Sequence, residues 1–157
     1  MGLFDQLAIR DSIEIRTTPE KIWEFFYNLE QNYTSWHPEH VEFKWTEGPP
    51  MESGSAWYAE EFSLGKLKKL KGTIDEVIPN RKIVFKNVFP VSLVSPRFEW
   101  HIEPTGSNSV FTAINYLRAE GLYRTIARET METAIKASRK HMKEEGENLR
   151  KILEHQE

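Results

Sequence analysis

The chain has no cysteine. That absence excludes disulfides, thiol nucleophiles and thiolate metal sites, and it favours a cytoplasmic setting. Long apolar runs are missing as well. The most apolar stretch, Val88 to Val94, is interrupted by Pro90 and Ser92 and falls far short of the roughly 18 residues a membrane helix needs. There is no basic excess either: 21 Lys and Arg stand against 24 Asp and Glu, a net charge of −3, which argues against nucleic-acid binding by counterion release. The eight glycines are scattered singly, so no phosphate loop is present. No Gly-x-Ser-x-Gly elbow occurs; the nearest cluster, Met51-Glu52-Ser53-Gly54-Ser55, has no helix behind it. The start, Met1 to Gln6, lacks a basic segment followed by an apolar signal core. These absences predict a cytoplasmic protein that binds neither nucleic acid nor membrane.

What is present suits one domain. With 157 residues, 39% hydrophobic and 29% charged, the chain can bury a core unaided, and residues 1–157 read as a single unit. Ser12 to Arg16 alternates as a half-buried strand. Thr17-Thr18-Pro19-Glu20 signals a helix start, and that helix carries Ile22, Trp23, Phe25, Phe26 and Leu29. A second short helix or turn leads to Trp36-His37-Pro38, and Val41, Phe43 and Trp45 mark the next strand. Between Ser55 and Leu117, turn signals separate strands at Ala56–Phe62, Leu67–Ile78, Lys82–Asn87, Arg97–Glu103 and Val110–Leu117. Glu120 to Glu154 has no proline and is rich in Ala, Glu, Lys, Arg and Met, which predicts a long helix. A long helix must bury its apolar stripe against something, and a bent sheet offers the surface. The expected fold is therefore α+β: a curved antiparallel sheet of about seven strands gripping a C-terminal helix, with two short helices after the first strand.

From about residue 9 to 153 this order resembles the START-like superfamily, which includes the birch-pollen-allergen-like proteins and the polyketide cyclases. The resemblance implies a deep apolar cavity between sheet and helix. Trp45, Trp57, Phe85, Phe98, Trp100, Met131 and Ser138 are candidates to line it; the plainer reading of the aromatics is a filled core.

On a helical wheel, Ala127, Met131, Ala134, Ser138, Leu149 and Ile152 share one arc, and His141 and Glu145 fall within it. The two polar groups, one turn apart, face the sheet. A buried carboxylate needs a partner, and three are available in principle: protonated His141, a basic residue from the sheet, or a metal. Imidazole and carboxylate are zinc-type ligands, and such a site needs one or two more of them. His37 and His40 stand at the junction of the helical insertion and the second strand. Glu60 and Glu61 lie in the third strand, where aromatics occupy both parities and alternation does not choose between them.

Tyr33, Trp36-His37-Pro38, His40, Glu61-Phe62 before Gly65, and His141 with Glu145 together resemble the zinc-dependent phloretin and diacetylphloroglucinol hydrolases, START-like enzymes that cleave the bond between an acyl group and a phenolic ring. That resemblance implies zinc on His40 (or His37), Glu61, His141 and Glu145. The chain is shorter than those hydrolases, so the likeness reaches the metal site more fully than the substrate pocket. The implied chemistry is water attack on an acyl carbonyl with a phenolic ring as leaving group, proton relay falling to Tyr33, Tyr58, Tyr116 or His37. The implied ligand is a small apolar or aromatic molecule. Two other classes compete: a carrier that binds such a molecule without chemistry, and a metal-free cyclase or dehydratase using His141 and Glu145 as an acid–base pair. An exposed edge strand would also suit a homodimer.

Overall fold

The computed structural model describes residues 6–118 and 128–155. Seven strands form one antiparallel sheet: β1 (Gln6–Ile15), β2 (His40–Glu47), β3 (Ala56–Ser63), β4 (Lys66–Ile78), β5 (Lys82–Asn87), β6 (Arg97–Thr105) and β7 (Asn108–Arg118). Their spatial order is β1-β7-β6-β5-β4-β3-β2. Consecutive strands from β2 to β7 are thus neighbours, and only β1 reaches across to pair with β7. Helices α1 (Pro19–Tyr27) and α2 (Leu29–Trp36) fill the connection from β1 to β2, and the long α3 (Arg128–Glu154) closes the chain. This is the helix-grip arrangement expected. The expected helix residues 120–127, Ala127 among them, lie outside the described residues.

Local chemistry explains the insertion. The Thr18 hydroxyl accepts from the Lys21 N–H at 3.3 Å and Pro19 opens the first turn of α1, satisfying a donor that helix starts leave free. Ile22, Phe25, Phe26, Leu29, Tyr33 and Trp36 are then buried in succession. Phe26 stacks on Trp100 of the sheet with centroids 4.2 Å apart, and Trp36 meets Phe25, Phe26 and Trp100 edge-on or tilted. Each such side chain contributes roughly 1.5–3 kcal/mol by burial. The insertion is thereby fixed to the concave face of the sheet.

Helix α3 buries Met131, Met142, Gly146, Leu149 and Leu153, with Ile135 and Ser138 half-buried. The true stripe is rotated from the expected arc. Ala134 is exposed, and His141 and Glu145 lie at the stripe's edge, where α3 faces α2. A Cβ at Gly146 would meet Asp11 and Ile13 of β1 at 3.3 Å, so glycine permits the close approach of helix and sheet. Gly72 has a parallel role within the sheet, because a Cβ there would run into the Lys86 carbonyl and approach Trp57 to 2.9 Å. Among the described residues, no helix is long and apolar enough to cross a membrane.

Candidate functional site: a histidine–carboxylate cluster on an apolar cavity

Between the concave face and α3 lies a cavity of about 270 Å³, walled mainly by Leu29, Phe43, Trp57, Leu70, Phe85, Phe98 and Trp100. Glu61, His141 and Glu145 reach it from one side, with Tyr33 beside them. Strand parity selects the glutamate. Trp57, Ala59 and Glu61 face inward, whereas Glu60 faces out and accepts from Tyr58.

Four side chains from three elements converge here. His40 Nε2 lies 2.9 Å from Glu145 Oε2, 3.3 Å from His141 Nε2 and 3.9 Å from Glu61 Oε2. His141 Nε2 lies 3.4 Å from Glu145 Oε2 and 4.0 Å from Glu61 Oε2. The far ring nitrogens are committed elsewhere. His40 Nδ1 donates to the Tyr33 carbonyl at 2.8 Å, and His141 Nδ1 lies 3.2 Å from Glu39 Oε1. Both partners only accept, so both Nδ1 atoms carry hydrogen, and in the neutral rings both Nε2 lone pairs point at each other and at two carboxylates.

Such a cluster needs positive charge at its centre. A proton is one source. Burial opposes ionising His141, but hydrogen bonding and attraction to Glu145, reinforced by Glu61 and Glu39, outweigh it and raise its pKa to about 10. Burial likewise opposes ionising Glu145, and hydrogen bonds from His141 and His40 overcome it, holding the carboxyl at about 2. A divalent cation is the other source. Ligand atoms in a tetrahedron around zinc stand about 3.3 Å apart, and the five separations above, 2.9 to 4.0 Å, bracket that edge. The donor set, two imidazoles and two carboxylates, suits zinc and also iron or manganese. Outer partners of the kind that orient metal ligands are present too: the Tyr33 carbonyl on His40, Glu39 on His141, and the Tyr33 hydroxyl donating to Glu61 Oε2 at 2.8 Å. Tyr33 also stacks flat on His40 with centroids 3.8 Å apart. Its phenol is pushed up by burial and then by Glu61, so it stays protonated and donates.

Not every expected residue takes part. His37 is buried, but its Nδ1 accepts the Glu39 N–H at 3.0 Å and its Nε2 faces Glu144 at 3.3 Å. Both its nitrogens are engaged, yet a ring nitrogen of His37, one of His40 and one of His141 lie within 4.8 Å of one another, so both histidines of the pair border the cluster. Burial, then the neighbouring His141, lowers the His37 pKa. Tyr58 lies on the outer face of β3 with its hydroxyl on Glu60 at 2.6 Å, because residue 58 has the opposite parity to Glu61. Tyr116 is also outward, its ring covered by the Arg97 guanidinium at 4.2 Å. Neither lines the cavity, and neither is within reach of the cluster. Trp57, Phe85, Phe98, Trp100 and Ser138 line the cavity as expected. Trp45 packs instead against Phe43, with centroids 5.2 Å apart, and buried Met131 lies beyond the lining. Sequence reasoning missed Glu39 and Glu144, which look like surface charges, and the polar lining residues Asn87, Ser95 and Asn115. Inward parity with Phe85 and with Ala113 was the available signal for the two asparagines.

Helix-grip geometry around an internal cavity defines a class, and the family follows. A family model described as polyketide cyclase/dehydrase and lipid transport matches residues 6–154. The chain belongs to that family. Among solved structures it is similar to the Zhui aromatase/cyclase from Streptomyces sp. R1128, at 14% identity and TM-score 0.76, covering 96% of this chain and 94% of that one. It is similar to the di-domain ARO/CYC StfQ from the steffimycin biosynthetic pathway, at 15% identity and TM-score 0.73, over 95% of this chain and 51% of the other. It is also similar to Ara h 8.0201, at 12% identity and TM-score 0.64, over 92% and 98%. These likenesses establish the fold. Among curated proteins, none matches the sequence.

Proposed function

We propose that this protein is a metal-dependent hydrolase, with zinc on His40, Glu61, His141 and Glu145, that acts on a small acylated aromatic compound in its apolar cavity. The observation that carries the reading is the convergence of two Nε2 atoms and two carboxylate oxygens at separations of 2.9 to 4.0 Å, with both Nδ1 atoms already engaged. Zinc in such a set supplies Lewis acidity and a bound water of lowered pKa.

The chain's own residues do the rest. Trp57, Phe85, Phe98 and Trp100 hold an aromatic ring by area and exclude bulk water. Glu39 and the Tyr33 carbonyl fix the two imidazoles, and the Tyr33 hydroxyl holds Glu61. Tyr33, kept protonated, is the proton donor closest to the cluster. In the overall reaction one water is consumed, the bond between acyl carbon and ring carbon breaks, the acyl group leaves as a carboxylic acid and the ring carbon gains a proton. The hydroxyls of a phenolic ring make that carbon a tolerable leaving group.

The test is metal content per chain by elemental analysis, wild type beside His141→Ala and Glu145→Ala, followed by chromatographic assay of acetylated phenols for release of acetate. One metal per chain in the wild type, lost in the variants, together with metal-dependent acetate release, supports the proposal. Unchanged metal content in both variants overturns it. A second reading rests on the raised pKa of His141 beside ionised Glu145: a metal-free cyclase or dehydratase using the pair as acid and base, in line with the family description. Its activity would survive chelators.

A further inference from the structure

Away from the histidine–carboxylate cluster, the hydroxyl and amide side chains that line the cavity are Asn87, Ser95, Asn115 and Ser138. Three of them are turned to the protein itself. Asn87 Nδ2 donates to the Ser95 carbonyl at 2.8 Å, and its Oδ1 is enclosed. The Ser138 hydroxyl faces the Met142 sulfur at 4.0 Å, and the Ser95 hydroxyl donates to Asn115 Oδ1 at 2.9 Å. Asn115 Nδ2 is left over. Among the described residues, the buried side-chain polar atoms without a partner are Trp45 Nε1, Asn87 Oδ1 and Arg97 Nε. Asn115 Nδ2 also lacks a partner there, yet it is none of these three, so it retains accessible surface.

Ser95 fixes which way round this amide lies. Turned over, Nδ2 would donate to the Ser95 hydroxyl, and both the Ser95 proton and Asn115 Oδ1 would lose their partner. As placed, both are satisfied and only N–H groups remain. The side chain also points inward. Asn115 stands opposite Phe98 of β6, and Phe98 stands opposite Phe85 of β5. Residues directly opposite in a ladder share a face of the sheet, and both phenylalanines line the cavity. The open surface of Asn115 Nδ2 is therefore turned to the cavity, beside the stacked Phe85–Phe98 pair with its centroids 4.5 Å apart.

This donor and the cluster occupy opposite flanks of the concave face. Glu61 belongs to β3 and Asn115 to β7, with β4, β5 and β6 between them, and both residues line the one cavity. The wall between them is apolar, built from Trp57, Leu70, Phe85, Phe98 and Trp100. In a pocket of this kind a few fixed polar groups set the orientation of what binds. A ligand that fills the cavity takes water away from Asn115 Nδ2, and one with no acceptor at that position leaves the N–H unpaired at a cost in affinity.

We infer that Asn115 Nδ2 donates a hydrogen bond to a carbonyl oxygen at the end of the ligand remote from the His40–Glu61–His141–Glu145 cluster, so that the cavity selects aromatic molecules carrying an acceptor oxygen there. The inference deepens the hydrolase reading and rests on it for the chemistry at the other end, and its test is read separately from metal binding. A cavity of about 270 Å³ is near the small end for ligand sites, which suits one or two rings.

The test compares 4-acetyl-4′-hydroxybiphenyl with 4-isopropenyl-4′-hydroxybiphenyl, with dissociation constants measured by fluorescence titration on zinc-loaded and on chelator-treated protein. The second compound keeps the planar shape of the first and puts a methylene group where the carbonyl oxygen stands. The ketone is expected to bind about tenfold more tightly. In Asn115→Leu, similar in volume, the preference is expected to fall below about twofold. Comparing the two proteins cancels any effect of the ketone on the acidity of the phenol. Persistence of the preference after chelation supports the Asn115 subsite whatever the fate of the metal proposal. Side-chain amide proton resonances of Asn115 in the wild type give a measurement that does not depend on the variant folding. They should move downfield with the ketone relative to the isopropenyl compound, since ring-current effects are common to both. Equal affinities for the two compounds in the wild type, a preference unchanged in Asn115→Leu, or amide resonances that respond alike to both would assign that N–H to water and overturn the inference.

Discussion

Adding zinc to metal-stripped protein should raise its thermal midpoint, and the size and pH dependence of the rise can be worked from the cluster. At a free zinc concentration about a hundred times the dissociation constant, mass action adds about 2.7 kcal/mol. For a chain of this length each kcal/mol moves the midpoint by about 2–4 °C, so the expected rise is about 5–11 °C. Zinc must displace the proton that His141 holds when metal-free, because the imidazole ligates only in its neutral form. With that pKa at about 10, apparent affinity should climb about tenfold per pH unit from pH 6 to 8, equivalent to about 1.4 kcal/mol. The assay is differential scanning fluorimetry over a zinc series at three pH values, on wild type and on a His141→Ala, Glu145→Ala double variant. The concentration giving half the shift should drop tenfold per unit of pH in the wild type, and the shift should vanish in the variant. A shift of equal size in both proteins, or one indifferent to pH, would refute the reasoning.

Other consequences are equally direct. Tyr33→Phe removes the hydroxyl that holds Glu61 while keeping the stacked ring, so zinc affinity by chelator competition should fall about 10- to 100-fold with the folded-state circular dichroism unchanged. In metal-free protein the raised His141 contributes stability fully below its ordinary value of 6.5 and loses it as pH climbs to about 10. The lowered Glu145 contributes above its ordinary 4.5 and loses it as pH falls to about 2, so the midpoint should be highest between those two ordinary values, and Glu145→Gln should flatten the profile. Gly72→Ala should cost more than about 3 kcal/mol in urea unfolding, since the new methyl group meets the Lys86 carbonyl and the pairing of β4 with β5 must open.

The fold was legible because its signals are local and agree with one another. Thr18-Pro19 capped a helix as written, the turn residues marked the hairpins, and the proline-free tail supplied the gripped helix. Boundaries were less legible where pairing overrode composition. β1 begins at Gln6 rather than Ser12 because β7 offers partners as far as Arg118. The site was readable in its residue types and only partly in its geometry. His141 and Glu145 share a helix face, and spacing alone reveals that. Choosing His40 over His37 depends on where the end of α2 directs each ring, and choosing Glu61 over Glu60 depends on Trp57 being the inward aromatic. Tyr58 and Tyr116 fail for the same reason, since strand parity turns them away from the cavity. Asn87 stayed hidden because an asparagine at a strand end ordinarily reads as turn chemistry.

Trp36 has a consequence beyond packing. Its indole N–H donates to the Glu145 carbonyl at 2.9 Å, and Asn148 Nδ2 donates back to the Trp36 carbonyl at 3.0 Å. An apolar stripe is forgiving along its length, because a helix that slides by one turn of about 5.4 Å finds much the same greasy neighbours. Directional bonds are not forgiving. The pair acts as a detent on the helix, allowing one axial setting. The placing of His141, Met142 and Glu145 along the cavity wall is therefore governed by two hydrogen bonds.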